Sequence, residues 1–217
     1  MPADYKRETA ESESARERIL RVAETLFAEN GFNGASMREI ATQAAVALSQ
    51  LNYYFESKRE LYLAVFLHRG HKITSERSRH LVEARAKYGR RPIPLKVLIR
   101  SFVMPYLDYA REDGASYVRL YARLHSEPAS IAEEVRSRVY DETTRQYADA
   151  FKQTLPHLPD EVLFWRLTFM MGTYNFALMT SGRLEVMSRG KLSSSDLTQA
   201  SEQILPFLEA AIKAPIP

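Results

Sequence analysis

The stretch SMREIATQAAVALSQLNYYF, from Ser36 to Phe55, sets two short amphipathic segments around a three-residue break. Ser36 and Glu39 have the spacing of a capping box, in which each side chain satisfies the other residue's free amide. Met37, Ile40, Ala41 and Ala44 then form one apolar face, which predicts a helix over Met37–Ala44. Ala45, Val46 and Ala47 make the turn, and a second helix follows over Leu48–Phe55. Val46, Leu51 and Phe55 point inward, leaving Leu48, Ser49, Asn52 and Tyr53 on the opposite face with Gln50 at its edge. Two short helices joined in this way make a helix-turn-helix. The outward residues suit base reading, since Asn pairs with adenine edges and Leu can meet a thymine methyl. Tyr54, Lys58 and the Ser36 end of the first helix suit phosphate oxygens. The same spacing also fits an ordinary helical hairpin whose aromatics simply pack in a core.

The flanks extend the helical pattern. Ser14 and Glu17 form another capping-box pair, followed by apolar residues at Ile19, Val22, Ala23, Leu26 and Phe27. Gly31 is expected to stop that helix as a left-handed cap, with a turn at Asn33-Gly34. Ser57 and Glu60 form a third pair, opening a long helix to about Lys87. Gly89 to Pro94 is the clearest linker. Further helices are expected at 94–111, 116–126, 129–155, 160–187 and 195–213, separated by Pro128, Pro156, Pro159 and the serines 193–195. Alternating β-branched runs are absent, so the fold class is all-α. The expected division is a disordered arm at 1–13, a three-helix domain at 14–56 and a larger helical domain at 57–217.

Composition sets wide bounds. The chain has 217 residues, 45% apolar and 26% charged, as in an ordinary globular protein. It has no cysteine, which excludes disulfides and thiolate metal sites and fits a reducing cytoplasm. No apolar leader is read at the N-terminus. The apolar run Val162–Met179 is broken by Arg166, Gly172 and Asn175, so it is read as a buried helix and no membrane contact is expected. Residues 1–60 hold eight Lys/Arg against ten Asp/Glu, whereas 61–91 hold eight against two. Charge alone therefore does not mark 36–55 as a DNA-binding surface; the basic excess lies just behind it.

From Arg16 to Phe66 the sequence resembles the N-terminal domain of tetracycline-repressor-type regulators. The matching residues are ILRVAETLF at 19–27, Asn30 to Phe32, SMREIA at 36–41, and LNYYFESKREL at 51–61. The resemblance implies an all-α, homodimeric regulator, most simply a repressor, whose second short helix enters the major groove of a palindromic operator. It also implies that a small molecule bound in the C-terminal domain releases the DNA. Carried over by position, the DNA contacts are Ser36, Arg38, Leu48, Ser49, Gln50, Asn52, Tyr53, Tyr54 and Lys58. Members often have Gly and Ser where this chain has Ala45 and Ala47, and Lys-Gly where it has Leu48-Ser49. An Ala cap costs about 1 kcal/mol relative to Ser, and the changed helix start implies an uncommon operator. Segments 160–187 and 195–213 stand where the family dimerises. Pro206 is expected to bend the second or to leave a free carbonyl in it.

The C-terminal part is similar, over LFWRLTFMMG at 163–172, to fatty-acid-responsive members. That similarity implies an apolar effector, a fatty acid or acyl-CoA. Phe102, Tyr106, Tyr109, Tyr121, Leu124, Tyr147, Phe151, Phe169 and Thr173 are positioned to line a tunnel, although as single residues they also read as ordinary core. Trp165 reads as core or dimer interface. Arg69, Lys72, Arg77, Arg79, Arg85, Lys87, Arg90 and Arg91 suit CoA phosphates, or else form a solvated face. The five histidines are scattered; His68 and His71 lack a third ligand nearby, so no metal and no cofactor are expected. No phosphate loop, nucleophile elbow or HExxH motif is present, so an enzyme on this scaffold has no visible acid/base set. A sensor that no longer reads DNA is the other alternative, resting on Ala45 and Ala47.

Overall fold

A computed structural model describes residues 13–112, 114–178 and 182–216. Among these there are eleven α-helices and no strand. Residues 1–12 of the expected arm lie outside the described part; Glu13 is held by a two-pronged ion pair with Arg21, both contacts at 3.0 Å.

Helix α1 (Ala15–Gly34) starts on the Ser14–Glu17 box, which closes in both directions. Its expected end at Gly31 needs correcting. Gly31 is a kink, with φ 72° and ψ 177°, after which one more turn runs to Gly34. That conformation is open essentially to glycine alone, and an added Cβ would sit 3.0 Å from both the Arg123 guanidinium and the Glu127 carboxylate. Helices α2 (Met37–Gln43) and α3 (Leu48–Tyr54) follow, then α4 (Lys58–Tyr88). The second and third boxes close only halfway: Ser36 and Ser57 accept from Glu39 and Glu60 amides. Glu60 instead takes the Glu56 N–H at 2.8 Å.

After the linker come α5 (Leu95–Glu112) and α6 (Ala115–Arg123), the latter tightening into a 3₁₀ turn at Leu124–Ser126. The expected helix over 129–155 is three pieces: α7 (Ala129–Val135), a π-helical turn (Arg136–Tyr140) and α8 (Asp141–Thr154). The wider turn buries the adjacent residues Val139 and Tyr140 together. They press on α4 at Gly70, where any Cβ would lie 2.5 Å from Val139 Cγ1. Helices α9 (Asp160–Leu178), α10 (Arg183–Met187) and α11 (Leu197–Ile212) complete the described chain. Pro206 lies inside α11. Ile204, Leu208 and Ile212 are its buried stripe.

One hydrophobic core runs from Ile19 to Ile212. The first half of α4 packs its Leu61, Tyr62, Val65 and Phe66 with α1, and the second half continues into α5 and α8. Phe27 meets Tyr62 edge-on at 4.8 Å. Helix α9 corrects the reading of the run Val162–Met179 as a buried helix, for the residues up to 178 that are described. Leu163, Leu167, Met170 and Tyr174 face the core, while Phe164, Trp165, Phe169 and Phe176 are 49–61% exposed. The helix is apolar on both sides, and within one protomer only one side is covered. No described helix is long and apolar enough to cross a membrane.

Candidate functional site

Helix α3 is held by its inner residues. Leu51 and Phe55 are fully buried against α1 and α2, and Val46 is partly buried. Arg18 reaches from α1 to donate to the Ala44 carbonyl at 3.3 Å, fixing the end of α2. The turn places Ala45 in the left-handed region, φ 52°, where a Cβ is strained. The Val46 N–H returns to the Ala41 carbonyl at 3.0 Å. Ala47 is the N-cap of α3 and supplies no side-chain acceptor. The two substitutions noted in the sequence thus fall at the two positions with a specific backbone demand.

The outer face is free. Ser49, Gln50, Asn52 and Tyr53 are exposed, and Leu48 and Tyr54 are partly so. Tyr53 is 83% exposed, the most exposed large hydrophobic side chain of the described residues. Ser36 and Arg38 are exposed at the start of α2. Lys58 is different. Its ammonium lies 4.8 Å over the Phe32 ring and donates to the Ala35 carbonyl at 3.0 Å, so its charge is anchored to the α1–α2 junction. Arg16, which sequence analysis passed over, is exposed with its guanidinium 5.4 Å over the Phe55 ring, beside the end of α3. Its only sequence signal is a place in the first turn of α1.

Helices α1–α3 are tied to the rest of the chain at the Gly31 kink. Glu127 accepts from the Phe32 N–H at 2.9 Å, and Arg123 donates to the Glu29 carbonyl at 3.4 Å. Arg59 pairs with Glu134 at 2.5 Å, and Arg69 with the largely buried Glu24 at 2.6 Å.

The nine expected tunnel residues divide. Phe102, Tyr147 and Phe151 line an apolar cleft of about 140 Å³ between α5, α8 and α9. Thr173 lines a larger, open pocket of about 620 Å³ between α9, α10 and α11. Tyr106, Tyr109 and Leu124 are buried in the packed interior, with Tyr121 beside them; Tyr106 and Tyr121 rings lie 5.1 Å apart. Phe169 is on the surface, stacked on Trp165 at 5.6 Å.

The basic run on α4 does not form one face. Lys72 pairs with Glu112, and Arg79 with Glu76 and Glu83. Arg77 is only 3% exposed. It lies among tyrosines, its Nε donating to the Phe102 carbonyl at 2.7 Å. Burial works against its charge, but Tyr174, Tyr121 and Tyr147 outweigh that and hold its pKa above the ordinary arginine value. Burial also pushes Tyr106, Tyr117, Tyr121 and Tyr140 well above the usual phenol range, so these hydroxyls are neutral.

Two family profiles cover most of this architecture. "Bacterial regulatory proteins, tetR family" matches residues 19–65, and "Tetracyclin repressor-like, C-terminal domain" matches 100–211, more than half of the chain. The chain belongs to the tetracycline-repressor family. Among curated relatives, the HTH-type transcriptional dual regulator CecR of Shigella flexneri is 33% identical over 44% of this chain and 42% of its own length. The HTH-type transcriptional activator FasR of Mycolicibacterium smegmatis is 27% identical over 56% of this chain and 52% of its own. The chain thus spans about half the length of these relatives, or less. Solved structures share the fold along nearly the whole chain. FadR of Bacillus subtilis, in complex with stearoyl-CoA, superposes with a TM-score of 0.59 at 18% identity, covering 89% of this chain and 97% of that one. PfmR of Thermus thermophilus gives 0.62 at 15% identity, covering 92% and 100%.

Proposed function

We propose that the protein is a ligand-responsive transcriptional repressor that binds a palindromic operator as a homodimer. The observation that carries this reading is the outer face of α3: a helix anchored by Leu51 and Phe55 that leaves Ser49, Gln50, Asn52 and Tyr53 in solvent, with Leu48 alongside. These residues read base edges, with Asn52 suited to adenine. Ser36, Arg38 and Tyr54 hold phosphates, and the anchored charge of Lys58 adds its field beside them. Residues 14–56 form the reading unit and 57–217 the sensing and pairing unit. Such a protein acts in the cytoplasm.

The exposed aromatic side of α9, together with Phe207 on α11, is the surface through which two copies would pair. A two-fold axis there sets the two α3 helices on successive major grooves, about 34–36 Å apart. The effector is small and apolar, bound between α5, α8 and α9, and it acts on the head through Glu127 and Arg123 at the Gly31 kink. The stearoyl-CoA complex of FadR supports an acyl class for it. A mobility-shift assay with the promoter beside the protein's own gene tests the reading. A retarded band lost with Asn52→Ala and Tyr53→Ala is expected; equal binding by both variants would remove the residue assignment.

Two relatives are named a dual regulator and an activator, which favours a second reading with the opposite sign of control. Transcript levels in a deletion strain separate the two: a rise of the target transcript supports repression, a fall supports activation.

A further inference from the structure

Arg77 is the one fully buried arginine that the described ion pairs leave without a carboxylate; none of the described carboxylates lies within 4.0 Å of it. A guanidinium cannot shed its charge in a protein, and burying it without a counter-ion is strongly unfavourable. Two of its N–H groups have acceptors: Nε the Phe102 carbonyl at 2.7 Å, and Nη2 the Tyr174 hydroxyl at 3.4 Å. The described residues give the others none. Tyrosine rings crowd the same place, with Tyr174 tilted against Tyr106 at 5.7 Å and Tyr106 against Tyr121 at 5.1 Å. A fixed, buried cation with two of its N–H groups satisfied and no carboxylate beside it is the core of an anion site.

The site also has an apolar approach. The guanidinium carbon of Arg77 lies 3.9 Å over the Phe102 ring, and Phe102 is a wall of the 140 Å³ cleft. Tyr147, a second wall, donates to the Arg77 carbonyl at 2.8 Å. Phe102 therefore touches the cleft on one side and the cation on the other. The cleft is close to the roughly 150 Å³ that accepts a benzene ring in a buried apolar cavity.

Resting on the effector-responsive reading above, we infer that the Arg77 cluster is the carboxylate subsite of the effector pocket, and that the effector is an apolar monocarboxylic acid with one ring or a short chain. A thioester carbonyl places no anionic oxygen at the end of the apolar chain, so the free acid is preferred over its thioester at this subsite.

Calorimetric titration of the full-length protein with benzoate and octanoate, against methyl benzoate and octanoyl-CoA, tests the inference. Either acid is expected to bind, with the ester and thioester far weaker. Arg77→Gln should weaken the acid roughly 10- to 100-fold, as expected for a hydrogen bond to a charged group, and leave the ester unchanged. If that variant does not fold, Tyr174→Phe keeps the ring and removes one hydroxyl, and should weaken the acid roughly threefold to tenfold. Binding of neither acid, ester or thioester binding as tight as acid, or unaltered acid affinity in the folded variants would each overturn it. Operator binding by the wild-type protein is measured separately: its absence while acids bind would sink the regulator reading and leave the carboxylate subsite standing.

Discussion

Ala45, Ala47 and Gly31 make three opposite demands on one small domain. Ala45 holds φ 52° with a Cβ that costs about 1–2 kcal/mol there. Ala45→Gly relieves this, offset by about 0.4–1 kcal/mol of added freedom in the unfolded chain. A small net rise in thermal midpoint is expected; a fall would mean the turn is not strained. Ala47→Ser supplies the missing cap of α3 and should add about 1 kcal/mol by chemical denaturation. Gly31→Ala goes the other way. It forces a Cβ into a glycine-only conformation and against Arg123 and Glu127, with a loss of about 1–3 kcal/mol. Unaltered stability would contradict the kink. The sequence named Ala45 and Ala47 because their neighbours on either side are fixed by motif. It misjudged Gly31 because a kink and a stop both call for positive φ, and only the tertiary partner Glu127, far along the chain, lets the helix resume.

At the scale of elements, the helices with one wet and one dry face were legible, and those shaped by their neighbours were not. The Ser14 box, the break at 44–47 and the linker at 89–94 follow from local chemistry. The π turn at 136–140 does not, since it exists to fit Val139 against Gly70 on α4. The candidate DNA face was legible for a similar reason: outward residues on a short helix need no partner to be placed. The tunnel residues were not, because an aromatic at an inward position looks the same whether it lines a void or fills one. Glu127 joins the two parts of the chain through a single amide. Glu127→Ala leaves that N–H without its acceptor and should cost about 1–3 kcal/mol. Its effector response should also fall more than its operator affinity; equal loss of both would mean that the contact only supports folding.

For the molecule as a whole, α9 is the element on which the proposed pairing of two copies rests. Phe164, Trp165, Phe169 and Phe176 present an apolar surface that one protomer leaves in water. Trp165→Arg with Phe169→Asp should convert a dimer to a monomer by light scattering and weaken operator binding steeply. A double variant that remains dimeric would move the interface elsewhere. The proposed pairing would set α3 of each copy to read a DNA sequence through Asn52 and Tyr53. The most direct test is footprinting of the protein on its own promoter region, with wild type and the Asn52→Ala/Tyr53→Ala variant compared at equal, verified folding. The account predicts a protected palindrome with wild type that the variant loses. Equal protection by the variant, or no protected sequence with wild type, would contradict it.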